Sequence, residues 1–224
     1  MTDYPTGKDI FRECCSRIAV ACSPCGFKYN KSRRRMIKPL GPFTAEIRFL
    51  SHSSNIAGTY LEFNTNCRIL NTYSGKVYWE ISLSTFRHKG KVWNLANEAT
   101  RERELAEIIT LIQNKVVPLM DKYETNLDEI LEEVIQTGWF LPQANPREFY
   151  ILDVLDLVVD FGSPEQIREC AHLYIRHLSE EMQETFENDY NAYQRDGQAA
   201  STIAFRKLIP FMIERNISLP LYTD

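Results

Sequence analysis

Glycine is scarce in this chain, nine among 224 residues, and there is no Gly-rich phosphate loop, no GxSxG and no HExxH. Those absences remove the compact signatures of nucleotide binding, serine hydrolysis and zinc-dependent proteolysis, so no motif identifies a reaction. Long apolar runs are also missing. A membrane span requires roughly 20 consecutive apolar residues, whereas Ile18–Cys25 is too short and Phe149–Val159 is interrupted by Asp153 and Asp156. Met1–Lys8 is polar and lacks the basic-then-apolar order of a signal peptide, and the chain therefore reads as cytoplasmic with no membrane contact. Histidine is limited to four residues, of which His52 and His88 fall in expected turns while His172 and His177 stand five apart. On a helix the latter two project about 140° from one another and cannot chelate one ion as an i, i+4 pair does.

The six cysteines lie at irregular spacings, which suits reduced, packed thiols better than a secreted disulfide framework. Cys22 and Cys25 form a CxxC around Pro24. In a thioredoxin-like site that motif opens a helix, whose N-terminus stabilises the thiolate. Here it falls at the far end of one. Zinc would need two more ligands, and no second CxxC or His pair is spaced to complete a tetrahedron. Cys22 and Cys25 are thus weak metal candidates, and no cofactor is expected.

Alternation is what the chain has in quantity. From Phe43 to Phe86 three segments repeat with period two. Phe43, Ala45, Ile47 and Phe49 oppose Thr44, Glu46 and Arg48; Leu61, Phe63, Cys67 and Ile69 oppose Glu62, Asn64, Asn66 and Arg68. Val77, Trp79, Ile81 and Leu83 oppose Tyr78, Glu80, Ser82 and Ser84. The pattern predicts an antiparallel β-meander with one face on a core and the other in water. Before it, Thr6 and Asp9 predict a capping box for a helix whose apolar positions Phe11, Cys14, Ile18, Ala21 and Cys22 lie on the sheet, with Pro24 and Gly26 ending it. The basic stretch Lys28–Lys38 then reads as an edge strand or hairpin arm. After the meander, Lys89 and Gly90 predict a turn into a short strand, Val92–Leu95. Asn97 caps a helix with the stripe Leu105, Ile108, Ile109, Ile112 and Val116, which Pro118 bends or ends.

Beyond Thr125 the pattern is helical throughout. Asn126 with Glu129, Asn145 with Pro146 and Glu148, and Ser163 with Pro164 and Gln166 predict three helix starts. Gly138 and Gly162 close the first two, the third continues for much of Pro164–Arg195, and a last helix of about Ala199–Glu214 kinks at Pro210. The expected fold class is α+β: an antiparallel β-meander covered by helices over residues 1–123, followed by an all-helical region over 124–224. A chain of this length buries roughly 70% of its unfolded surface and needs neither disulfide nor metal to fold.

The net charge of −4 conceals an asymmetry, since residues 1–123 carry 19 Lys and Arg against 11 Asp and Glu while residues 124–224 carry 7 against 19. Within the acidic half, Asp153, Asp156 and Asp160 form one stripe of an otherwise apolar helix, which suits a solvent face, a contact for a basic partner or a metal ion. Within the basic half, Arg33, Arg34 and Arg35 with nearby lysines suit a nucleic-acid backbone, although the aromatics Phe49, Phe63 and Trp79 fall on the apolar sheet face rather than the wet one.

The helix running into Cys25, Gly26, Phe27 and Lys28, then the basic strand and the alternating hairpin from Phe43 to Leu70, resembles the bacterial domain of unknown function 4304 over residues 8–123. The resemblance implies a small α+β domain of bacterial conflict and defence neighbourhoods, where immunity proteins bind and block toxins; it carries no site residues. The first expectation is therefore a non-enzymatic protein-binding module, with immunity-type inhibition of a basic toxin as one form, using Asp153, Asp156 and Asp160. The alternative is nucleic-acid binding through Arg33, Arg34 and Arg35, and the third is a metal-dependent enzyme.

Overall fold

The computed structural model describes residues 6–52, 55–56, 59–87, 92–138, 151–198 and 200–220. The chain divides into two compact units, Met1–Asn126 and Leu127–Asp224. The first is α+β and the second is helical.

In the first unit, helix α1 (Gly7–Cys22) begins at the expected capping box, in which the Asp9 amide donates to the Thr6 hydroxyl and the Thr6 amide to the Asp9 carboxylate, each at 3.2 Å. The helix buries Ile10, Cys15 and Ala19 as well as Phe11, Cys14, Ile18 and Cys22, so its apolar stripe is wider than expected, with Ala21 half-buried at the margin. A 3-10 turn, Ser23–Cys25, and Gly26 at φ +86° end it. That left-handed backbone is open to glycine at little cost.

The basic stretch is a hairpin of β1 (Lys28–Asn30) and β2 (Arg35–Leu40), followed by β3 (Phe43–Ser51), β4 (Glu62–Asn71) and β5 (Val77–Ser82). These five are antiparallel neighbours in chain order, and β6 (Trp93–Asn94) pairs with the start of β4 at Glu62 and Phe63. The dry face holds Phe43, Ala45, Ile47, Phe49, Leu61, Phe63, Cys67 and Ile69, as alternation predicts. The third strand departs from it. Ile69 pairs with Trp79 and Leu70 with Val77, so Tyr78 is the extra residue of a bulge. Val77 turns outward at 39% exposure, whereas Tyr78 turns inward at 3% and packs edge-on against Phe43, ring centroids 5.8 Å apart. Strict period two across Val77–Leu83 fails by that one residue.

The outer face is not uniformly wet either. Glu46 is only 1% exposed, held between the guanidinium groups of Arg35 and Arg68, with Arg48 at 3.8 Å. Arg68 also reaches Glu80 at 3.3 Å. A buried carboxylate is tolerable because its charge is paired and hydrogen-bonded on several sides.

Helix α2 (Glu98–Leu111) is capped by Asn97, which accepts from the Ala99 amide at 2.9 Å. The helical run does not end at Pro118. A π-type turn, Ile112–Val116, carries it into α3 (Val117–Thr125), with Pro118 in the first turn of α3, so the widened turn stands where Pro118 has no N–H to give the preceding turn. Leu105, Ile108, Ile112 and Val116 are buried, while Ile109 is half-exposed. Long-range pairs fasten these helices to the rest of the unit: Arg17 to Glu102 at 2.5 and 2.7 Å, Lys38 to Asp121 at 2.7 Å, and Arg87 to Glu104 at 2.8 Å. The short strand is Trp93–Asn94 rather than Val92–Leu95. The turn expected at Lys89–Gly90 lies outside the described residues.

The second unit contains α4 (Leu127–Thr137), α5 (Ile151–Phe161), α6 (Pro164–His177), α7 (Glu180–Asp196) and α8 (Ile203–Glu214). Gly138 at φ +70° closes α4, and the helix start expected at Asn145–Glu148 lies outside the described residues. Gly162 closes α5 for a steric reason, since a Cβ there would sit 2.6 Å from the Val158 carbonyl. Ser163 and Gln166 form the expected capping box of α6. That helix ends at His177 instead of continuing towards Arg195. Leu178 is extended, Ser179 accepts from the Met182 amide at 3.4 Å, and Glu180 and Glu181 occupy the first turn of a new helix. A side-chain cap followed by carboxylates favours a fresh N-terminus over continuation. Helix α8 likewise starts at Ile203, capped by Thr202, four residues later than Ala199–Glu214 implied, and contains Pro210. Among the described residues no helix is long and apolar enough to cross a membrane.

Candidate functional site

The capping box fixes where α1 begins, and with it the helical phase of everything that follows. Phe11, Cys14, Cys15 and Ile18 face the core, which leaves Lys8 and Arg12, one turn apart, on the exposed side of the first turns. The β1–β2 turn is set by Asn30, whose side-chain oxygen accepts from the Ser32 hydroxyl at 2.9 Å and from the Arg33 amide at 3.0 Å. Arg34 then takes a left-handed backbone, φ +50°, and its carbonyl accepts from the Phe49 amide at 2.9 Å. A non-glycine residue in this region stores on the order of 1 kcal/mol of strain. The outcome is that the Arg34 guanidinium lies over the Phe11 ring, 5.9 Å from its centroid, on the side of the hairpin facing α1.

Between these elements and the end of β3 lies a concavity of about 1210 Å³. Lys8 and Arg12 line it from α1, Lys31 and Arg34 from the turn, and Ser51 and His52 from β3 and just beyond. Asn55 holds the far wall, donating to the Ser51 hydroxyl at 3.2 Å and the Glu62 carbonyl at 3.3 Å while accepting from the Glu62 amide at 2.8 Å. One carboxylate, Glu13, shares the lining, and it faces Arg17 at 3.9 Å. Lys8, Arg12, Lys31 and Arg34 are all exposed. Four cations against one carboxylate in a concave surface with low-dielectric walls focus a positive field, which suits an anion.

The arginine triplet does not act as one patch. Arg33 is exposed in the turn but does not line the concavity, Arg34 enters it, and Arg35 is committed to Glu46 on the outer sheet face. Tyr78, which alternation placed on that outer face, is buried and accepts from the Asn71 amide group at 2.9 Å. Lys8 and Arg12 are missing from the sequence-based candidates. Their signal, a cation pair at i, i+4 on the first helix, is common on solvated helices and gains meaning only when the hairpin turn meets it.

Asp156 and Asp160 are exposed on α5, with Val154, Leu157 and Val158 buried beside them; the side chain of Asp153 lies outside the described residues. Cys22 is buried at the end of α1 and Cys25 is half-buried in the following turn, so the CxxC terminates a helix. Burial, with the neighbouring Cys25 adding to it, pushes the Cys22 thiol up to about 12, and burial likewise raises Cys67 and Cys170 to about 12 and Cys14 to about 11. At neutral pH these are thiols, poor as nucleophiles. Among the described residues no three His, Cys, Asp or Glu side chains converge to hold a metal ion. The ring nitrogens of His172 and His177 meet the Ser218 and Leu173 carbonyls, at 2.9 and 2.8 Å.

Comparison of the chain with protein-family models, with curated proteins and with solved structures gives no match.

Proposed function

We propose that the protein is a non-enzymatic binding module whose first unit holds nucleic acid by its phosphates. The observation that carries this reading is the meeting of Lys8 and Arg12 with Lys31 and Arg34 around one concavity. Phosphate contacts supply most of the sequence-independent affinity for nucleic acid by releasing condensed counterions. The test is fluorescence anisotropy of a labelled oligonucleotide, as single strand and as duplex, in low salt. Binding that weakens steeply as salt rises, and that is lost when Lys8, Arg12, Lys31 and Arg34 are all changed to Ala with the circular dichroism spectrum intact, is the expected result. Failure of both forms to bind at low salt would end the proposal.

A second reading is favoured by the exposure of Asp156 and Asp160 on α5, in the half of the chain that carries 19 acidic against 7 basic residues. It is the protein-binding module of the immunity type, in which that surface meets a basic partner such as a nuclease toxin and the complementary fields speed association. Native mass spectrometry of the protein taken gently from its own cells reads it directly, as the mass of the chain plus another polypeptide. Asp153→Asn, Asp156→Asn and Asp160→Asn together are expected to weaken that complex, and unchanged affinity would remove these residues. Both readings place the protein in the cytoplasm and need no cofactor.

A further inference from the structure

We infer that the concavity takes single-stranded nucleic acid in preference to duplex and reads its backbone with little regard to sequence; the inference rests on the phosphate-binding reading above. The cations stand on separate walls. Lys8 and Arg12 project from one helix, while Lys31 and Arg34 project from a hairpin turn that joins two strands of the sheet. A duplex is a convex cylinder, read by a helix or β-ribbon that protrudes into its groove. Side chains lining a hollow reach such a cylinder only at the rim. A single strand is narrow enough to lie between two walls and flexible enough to turn successive phosphates towards both.

The neutral lining explains the indifference to sequence. Asn55, the side-chain amide among the lining residues, spends its donors and acceptor on Ser51 and Glu62. The Ser16 hydroxyl donates to the Arg12 carbonyl at 2.9 Å, and that of Ser32 to Asn30 at 2.9 Å. These side chains hold the protein's own backbone and turn in place and are not poised to pair with base edges. Phe11 forms the floor, 3% exposed and packed on Phe63 at 5.4 Å, with Arg34 above it, so it offers no open ring on which a base could stack. Apart from the exposed His52 ring, whose face takes any base alike, recognition is left to charge, with Glu13 beside Arg17 setting a negative margin to the site.

The experiment uses the full chain and labelled 12-residue oligonucleotides: oligo-dT, a mixed single strand, and the duplex of that mixed strand. If each of the four cations neutralises one phosphate, the single-strand salt slope is about −2.8, which is about a 50-fold loss of affinity between 50 and 200 mM salt. The two single strands are expected to bind within about threefold of one another and about tenfold or more above the duplex. Arg12→Ala and Lys31→Ala, one from each wall, should each reduce the slope by about 0.7, while Arg33→Ala, outside the concavity, leaves it unchanged. All three positions are exposed, so folding is preserved. Duplex binding equal to or tighter than single-strand binding would overturn the inference while leaving nucleic-acid binding standing. Competition by millimolar inorganic phosphate or pyrophosphate would overturn it in favour of a discrete anion site, and silence of every oligonucleotide at 50 mM salt would remove the underlying reading as well.

Discussion

The two units of this chain are stabilised by different means. In the first, residues far apart in sequence are joined by charge: Arg17 with Glu102, Lys38 with Asp121, Arg35 and Arg68 with Glu46, Arg87 with Glu104 and Glu107. The buried polar and charged residues among those described, Glu46, Thr65 and Glu104, all belong to it. In the second, helices are delimited locally by Ser163, Ser179, Thr202 and Gly197, and the core between them is apolar but for the Tyr190 hydroxyl, which donates to the Ile217 carbonyl at 3.1 Å, with Phe186 set edge-on to Phe205 at 4.8 Å. The difference is one of range. A cap acts over three or four residues, whereas the buried Glu46 cluster requires the register of β2, β3 and β4 to be right before it stabilises anything.

The largest effect that would sharpen this contrast is expected from Phe205→Ala. Phe205 is fully buried, and deleting its ring should cost about 4 kcal/mol. Hydrogen exchange read by mass spectrometry should show α7 and α8 losing protection first; protection retained there would contradict an apolar core built around this ring. Next comes Glu46→Gln, which leaves Arg35 and Arg68 without their carboxylate and should cost about 3 kcal/mol, read as a fall in the urea midpoint. The same group predicts an acid response. Burial pushes the Glu46 carboxyl up, but the hydrogen bonds and charges of Arg68 and Arg35 outweigh it and hold it below the usual glutamate value of 4.5. A depressed folded-state pKa contributes stability that is present above that value and is lost as pH falls through the folded one. The native protein should therefore lose stability below about pH 4.5 more steeply than Glu46→Gln, and parallel curves would show that the carboxylate carries no such linkage. The smallest effect is expected from Ser163→Ala, a loss of about 1 kcal/mol from the α6 cap, which thermal unfolding can read.

The same distinction of range explains what could be read in advance. Thr6 with Asp9, Asn97, and Ser163 with Gln166 were legible as helix starts because each acts within its own turn. Alternation over Phe43–Ile69 was legible because one buried face imposes period two. Ser179 was overlooked because helical apolar spacing runs across it, although the Glu180–Glu181 pair behind it marked a new N-terminus. Tyr78 and Val77 exchanged faces through a bulge that no local pattern announces. In the candidate site, Arg34 and its neighbouring lysines stood out as a basic run, but the run was divided by the hairpin, and its partners Lys8 and Arg12 came from a helix about twenty residues away.

By itself, then, the sequence determined the helix ends that carry caps, the dry face of the meander and the opposite charges of the two halves, because propensity, side-chain capping and periodicity are properties of neighbouring residues. Only the tertiary structure decided that Glu46 is buried on a nominally wet face, that Tyr78 is core, and that two cations of α1 stand across a hollow from two cations of a turn. Those outcomes depend on register and on which elements meet, and register is set by the packing of the whole sheet rather than by any stretch of it.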